Sequence, residues 1–323
     1  MEKNTLGKVP ISQVVLGTGD YSTAVPEKEA FQMIEAYLEA GGNMLDTAHV
    51  YADWVPDAPQ SASEKCLGRW LTLNPSLRDR LYIATKGAHH SLRSTDRSSR
   101  VRPECISEDI ESSLENLGVG YVDLYWLHRD DPSYPVEPIM DSLFRAVEKG
   151  KIKMLGASNW SNQRIEQANA YAKRCGKDGF IANQISYAYI KPLTPGGVES
   201  EADDTMLYFT EKDYDYYSEH QDIRIFAYSS QARGYMTKFL SGNPMHPSIL
   251  RTYDSQENRD RANRALEVAK ELGVSVEAIG LQYLFHRPFP VNAVVGSRTM
   301  GQLKDTLQAI RLTLAPDQIR YLD

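Results

Sequence analysis

A recurrence constrains this chain more than any other feature: a short β-branched or apolar run followed by an amphipathic stretch, eight times over. The runs are SQVVLGTG (12–19), NMLDTA (43–48), LYIATK (81–86), YVDLYWLH (121–128), KMLGASN (153–159), GFIANQIS (179–186), IRIFAYSS (223–230) and NAVVGS (292–297). Helical spacings lie between them, such as Ile106, Ile110, Leu114 and Leu117 within 103–117, or Phe31, Ile34 and Leu38 within 27–41. Thr299 and Gln302, three apart at the head of 299–310, form a capping-box pattern that satisfies first-turn amides. Such alternation implies parallel strands joined by helical crossovers. Eight units in 323 residues predict an α/β fold, a (β/α)8 TIM barrel, read as one domain over 1–323. A doubly wound open sheet is the alternative.

The polar residues favour closure. The runs end in Gly17/Gly19, Asp46, Lys86, His128, Asn159, Gln184, Tyr228 and Ser297. A closed barrel gathers these strand ends on one rim, where the chemistry of this fold sits, whereas an open sheet spreads most of them apart. Two connections exceed the usual loop length: 189–222, with the acidic ESEADD and an aromatic-rich helical piece, and 231–290, with extra helices. Long loops on this face shape a site or close over it.

Composition removes whole classes of function. Hydrophobic residues make up 41% and charged residues 24%, enough for a sizeable core, and the formal net charge of −7 offers no basic footprint for nucleic acid or anionic membrane. Three scattered cysteines, Cys66, Cys105 and Cys175, make neither a disulfide framework nor a CxxC pair. The amino-terminal MEKNTLGKVPISQ has no apolar core of a leader, and no apolar stretch approaches the ~18 residues of a membrane span. A cytoplasmic protein with a small-molecule partner is the expectation. GTGDYS at 17–22 lacks the third glycine of a dinucleotide fingerprint, and GxxxxGK[ST], HExxH and GxSxG are absent. No histidine spacing suits a metal. The adjacent His89 and His90 read as a surface loop, pointing opposite ways if extended.

Asp46, Tyr51, Lys86 and His128 lie at or just beyond three strand ends and read together as a proton-transfer set. A free tyrosine has a pKa of about 10, so work near neutrality needs a neighbour that stabilises phenolate, and an adjacent ammonium does so. Lys86 is that neighbour, Asp46 would keep it charged and oriented, and His128 would donate a hydrogen bond to a substrate oxygen. Each has a plainer reading alone: Asp46-Thr47 as a cap, Lys86 as an ion-pair partner, His128 as a satisfied rim histidine. Convergence of all four at one rim favours the chemistry.

At these residues the sequence resembles the aldo-keto reductase superfamily, in matching words that run in family order: GTG at 17–19, LDTAHVY at 45–51, SEKCLG at 63–68, ATK at 84–86, DLYWLH at 123–128, LGASNW at 155–160, NQ at 183–184, AYSSQARG at 227–234 and VGSRT at 295–299. The resemblance implies an oxidoreductase that uses NADPH to reduce an aldehyde or ketone, with Tyr51 as proton donor, Lys86 and Asp46 tuning it, and His128 orienting the carbonyl. It further implies that Ser158, Asn159 and Gln184 hold the nicotinamide carboxamide and that Tyr228 stacks on the ring. Gly19 falls in the same cofactor set, Ser229, Gln231 and Arg233 meet the pyrophosphate, and Ser297, Arg298 and Gln302 meet the adenosine end. Many relatives carry lysine at the place of Gly296, proline and leucine at Ser230 and Gln231, and glycine at Ala52. The missing lysine leaves NADH open beside NADPH. A cofactor-binding sensor with little turnover is the alternative function. The substrate is expected to be polar, even sugar-derived, with Asp130 and Asp131 accepting hydroxyls and Tyr21, Trp54 and Trp160 as walls. Against this, the two aspartates before Pro132 read equally well as a solvated turn.

Overall fold

The computed structural model describes residues 4–7, 9–193 and 205–323, so the ESEADD part of the long 189–222 connection lies outside the described residues. Eight parallel strands close into a barrel: β3 (Val14–Gly17), β4 (Met44–Asp46), β5 (Tyr82–Gly87), β6 (Val122–Leu127), β7 (Ile152–Ser158), β8 (Phe180–Ser186), β9 (Arg224–Tyr228) and β10 (Val291–Val295), with β10 paired to β3. Each falls inside or within one residue of an apolar run. Preceding them, β1 (Asn4–Leu6) and β2 (Val9–Ile11) form an antiparallel hairpin absent from the sequence-based expectation. Leu6 and Ile11 of this hairpin join Val15, Met44, Ala84, Leu124, Trp126 and Phe226 in the barrel interior, closing the end where the strands begin.

Helices α1 (Glu27–Glu39), α2 (Ala62–Leu73), α3 (Pro103–Leu117), α4 (Val136–Glu148), α5 (Asn162–Arg174) and α6 (Glu211–Glu219) alternate with β3 to β9. After β9 come α7 (Tyr235–Ser241), α8 (Pro247–Tyr253), α9 (Gln256–Leu272) and α10 (Val276–Phe285); α11 (Met300–Leu307) and α12 (Pro316–Leu322) follow β10. Helix α3 shows why these segments are helical. Pro103 opens it, Ile106, Ile110, Leu114 and Leu117 bury one face, and Gly118 ends it in the left-handed region at φ 63°. At α11, Thr299 accepts from the Gln302 amide, but the Gln302 side chain reaches back to Arg298 N at 2.8 Å, one residue before the cap.

Period-two alternation sets what enters the barrel. Counting outward from the interior residues Met44, Ala84, Leu124 and Ala182, the next inward positions are Asp46, Lys86, Trp126 and Gln184, all buried. On β7 the interior position is Gly156, where an added Cβ would stand 2.3 Å from the Trp126 ring. That close approach lets the indole lie across the barrel beneath the rim. Among the described residues, no helix is long and apolar enough to cross a membrane.

Candidate active site

The rim joins the four proton-transfer candidates through atoms. Lys86 Nζ ion-pairs with Asp46 Oδ2, donates to Thr47 O at 2.9 Å and donates to the Tyr51 hydroxyl at 3.0 Å. Asp46 Oδ1 accepts from Trp126 Nε1 at 3.1 Å and from Gln184 Nε2 at 3.0 Å. The carboxylate is therefore bonded on both oxygens. His128 lies edge-on to Tyr51, with ring centroids 5.8 Å apart. Tyr51 rides on tight turns, its N–H bonded to Ala48 O at 3.0 Å, and the loop is tied down by Asp53, which accepts from Ser61 N and pairs with Arg93. Ala52, where many relatives carry glycine, adopts φ 75°, a conformation that costs a residue with a Cβ of order 1 kcal/mol.

Burial raises the Tyr51 phenol above its ordinary value, against which the Lys86 ammonium pulls it down. The net direction is upward, so the lysine limits the rise and does not reverse it. For Lys86, burial works against the charged form, but Asp46 and Tyr51 outweigh it and the ammonium is held above its ordinary value. Burial pushes His128 well below its ordinary value, aided by His89, Arg129 and Lys86, so its imidazole is neutral at physiological pH.

The cofactor candidates divide by position. Asn159, at φ 58°, accepts from the Tyr228 hydroxyl at 2.8 Å and from Leu207 N at 3.1 Å, and donates to His128 O and Ser158 Oγ. Its amide thus braces the rim, as the Gln184 amide nitrogen braces Asp46. From Ser229 to Gly234 the chain repeatedly enters the left-handed region, at Ser229, Ala232, Arg233 and Gly234. Ser230 is tied to Val294 O and Gln231 to Thr306 Oγ1, so these two side chains are structural links. Arg233 and Arg298 are near enough to Lys238 that their charges, after burial, lower its pKa. Lys238, one turn into α7, escaped the sequence reading because nothing in its spacing marks it. Arg298 pairs with Asp20 across the mouth at 2.7 Å. Ser297 Oγ is buried with no partner among the described residues, and around the Gly296 Cβ position there is open space. Three clustered cations and an orphaned hydroxyl fit a dinucleotide diphosphate and its adenosine end.

The expected substrate walls mostly fail. Trp160 is fully buried with Nε1 donating to Arg129 O at 3.1 Å, and Tyr21 is 1% exposed, so both are core. Asp130 is gripped in two bonds by Arg164 at 2.9 and 3.0 Å, and Asp131 accepts from Ser133 N and Oγ in a local turn. Neither carboxylate faces a substrate unengaged: Asp131 sits in the local turn, whereas Asp130 is buried in its ion pair and is not part of a solvated turn. Trp54 remains: it is 47% exposed, edge-on to Tyr51 at 5.9 Å, and it joins Tyr51 in flanking Gly19. The surface-loop reading of His89 is corrected as well. Ala88 turns the chain at φ 61°, which buries His89 and brings its ring to 4.7 Å from His128 and 4.2 Å from His90.

A model of the Aldo/keto reductase family matches residues 13–323, and the chain belongs to that family. An uncharacterized oxidoreductase YrpG of Bacillus subtilis is 25% identical over 100% of this chain and 95% of its own length. The norsolorinic acid reductase stcV of Emericella nidulans is 28% identical over 98% and 79%, and the aryl-alcohol dehydrogenase [NADP(+)] of Phanerodontia chrysosporium 26% over 97% and 81%. Among solved structures, the thermostable aldo-keto reductase Tm1743 superposes with a TM-score of 0.72 at 20% identity, covering 100% of this chain and 99% of that one. The chain is an oxidoreductase of the carbonyl-reducing kind.

Proposed function

We propose that this enzyme reduces an aldehyde or ketone with NADPH, Tyr51 giving the proton and His128 steadying the carbonyl oxygen. The single observation that carries the reading is the 3.0 Å bond from Lys86 Nζ to the Tyr51 hydroxyl, with the lysine held charged by Asp46. The nicotinamide, when bound, supplies the hydride. The chain's own residues do the rest. Tyr51, raised by burial, is a full phenol at neutral pH and has a proton to give. As that proton leaves the oxygen, Lys86 meets the developing phenolate with a fixed positive charge, and Asp46 keeps the ammonium in place. Neutral His128 can donate to the carbonyl oxygen without competing for the Tyr51 proton.

Tyr228, Ser158 and Asn159 would border the nicotinamide, while Arg233, Lys238, Ser297 and Arg298 would hold the phosphates and adenosine. Gln184 acts from behind, through Asp46. Preference for NADPH rests on Arg298 and Lys238, and is supported by the NADP(+) in the name of the Phanerodontia relative. With Asp130 and Asp131 engaged elsewhere, the open wall is the Trp54 ring, which suits an aromatic or otherwise planar carbonyl better than a polyol. Relatives named for aryl alcohols and norsolorinic acid support the same class. The test follows NADPH absorbance with the purified chain against aromatic aldehydes, aliphatic ketones and sugar-derived carbonyls. Fastest turnover on the aromatic set is expected; tight NADPH binding without turnover on any carbonyl would contradict the reading.

A further inference from the structure

We infer that His89 is a positioning residue for His128, clamping the imidazole by ring packing so that its Nε2 carries the proton offered to the substrate. The inference rests on the carbonyl-reducing reading of the site. A neutral imidazole has two tautomers, and the hydrogen bond at one nitrogen normally fixes what the other does. His128 lacks that device: its Nδ1 is buried and has no hydrogen-bond partner among the described residues. A proton on Nδ1 would be a buried donor without an acceptor, costly to leave unmade, whereas a bare lone pair there is better tolerated. The proton therefore sits on Nε2.

Ring orientation must then come from packing. Among the described residues two rings meet His128 edge-on: Tyr51 at 5.8 Å and 77°, and His89 at 4.7 Å and 62°. Tyr51 is the proton donor on a turn-built loop, so the closer, better anchored support is His89. Its anchoring runs back through the backbone. Ala88 N donates to Asp109 Oδ2 at 2.8 Å, and Asp109 is paired with Arg100. The left-handed Ala88 directs His89 inward, where it is 5% exposed. His89 Nδ1 donates to His90 O at 2.7 Å, which fixes the His89 ring in turn, and the His90 ring backs it at 4.2 Å. The order His90, His89, His128, Tyr51 is one continuous line of packed rings ending at the proton donor.

What His128 takes from this position is an edge-on ring contact, so a phenylalanine ring should serve even without the Nδ1 bond to His90 O. The experiment compares parent, His89→Ala and His89→Phe, using 4-nitrobenzaldehyde as carbonyl and NADPH fluorescence to check that each protein binds cofactor. His89→Ala should lower kcat by about 10-fold or more, the scale of a misplaced catalytic group, with NADPH affinity unchanged. His89→Phe should stay within a few-fold of parent. In parallel, 15N spectra of labelled histidine, with His128 assigned by its loss in His128→Gln, should show a single neutral Nε2–H tautomer in parent and a mixture in His89→Ala. Parental kcat with an unchanged tautomer in His89→Ala would overturn the inference, as would equal impairment of the alanine and phenylalanine variants. The spectra read the clamp whether or not the parent turns over a carbonyl, so failure of the clamp and failure of the carbonyl-reducing reading are told apart.

Discussion

Gln184 and Asp46, 138 residues apart in the chain, meet inside the barrel through an Nε2 to Oδ1 hydrogen bond of 3.0 Å. Together with Trp126 Nε1 it holds one carboxylate oxygen, which leaves the other for Lys86. Asp46 is thus the hub through which the barrel interior orients the ammonium at Tyr51. Asp46→Asn leaves Lys86 buried without its counter-charge, and removal of one member of a buried pair costs about 3–5 kcal/mol. Lys86 then deprotonates at lower pH, and Tyr51 also loses an upward influence. Chemical denaturation should show the loss, and the alkaline limb of the kcat profile should move down in pH. An alkaline limb that stays in place would remove Asp46 from the proton path.

Asp130 and Asp131 separate cleanly by role. Asp130 is mostly buried in its bidentate pair with Arg164, so Asp130→Ala should cost about 3–5 kcal/mol of stability while KM for a carbonyl stays near parental. Asp131→Ala removes exposed hydrogen bonds within its turn, from Ser133 N and Oγ, and should cost less than Asp130→Ala, about 1 kcal/mol. Thermal unfolding alongside steady-state kinetics checks both; a large rise in KM with unchanged stability in Asp130→Ala would restore it to the substrate site.

Arg298 is held by Asp20 at 2.7 Å, so a phosphate bound there would have to draw it from a carboxylate. Arg298→Ala should weaken NADPH by roughly 1.5–3 kcal/mol, the scale of a hydrogen bond to a charged group, with NADH little affected. Asp20→Asn should tighten NADPH. Titration of cofactor fluorescence in the three proteins decides the matter, equal effects on NADPH and NADH counting against a phosphate role for Arg298.

His128 predicts an acid-side loss of stability. Its folded pKa lies well below the ordinary 6.5, so below about pH 6.5 the unfolded chain binds a proton that the folded one refuses. Stability contributed by the neutral ring is present above that value and is lost as pH falls toward the folded pKa, at up to about 1.4 kcal/mol per pH unit. Urea unfolding at pH 7 and pH 5 should show a smaller acid loss in His128→Gln than in parent. The same loss in both would show that His128 does not carry it.

The barrel was legible because its strands are short apolar or β-branched runs, buried on both faces, and its helices show one apolar face, as α3 does from Pro103 to Gly118. Asp46 and Lys86 were legible as strand-end polar residues, and once Met44, Ala84 and Leu124 are seen to face the interior, strand parity explains why Asp46, Lys86 and Trp126 do so too. What escaped has a physical reason in each case. His89 follows a left-handed Ala88, and no periodicity survives such a turn. Asp130 looked free because its partner, Arg164, sits 34 residues on, at the start of α5. The hairpin of β1 and β2 is too short to show a pattern, and only Leu6 and Ile11 entering the barrel explain it.

We propose the Tyr51 hydroxyl, bonded to Lys86 Nζ at 3.0 Å, as the proton donor. Single-turnover reduction of a good aromatic aldehyde by the Tyr51→Phe protein, at pH 7 with saturating NADPH, tests it most directly. The ring stays and its transferable proton goes, so the rate should fall by about 10²–10⁴-fold while the NADPH dissociation constant stays within a few-fold of parent. A rate close to parental, with cofactor bound, would contradict the account.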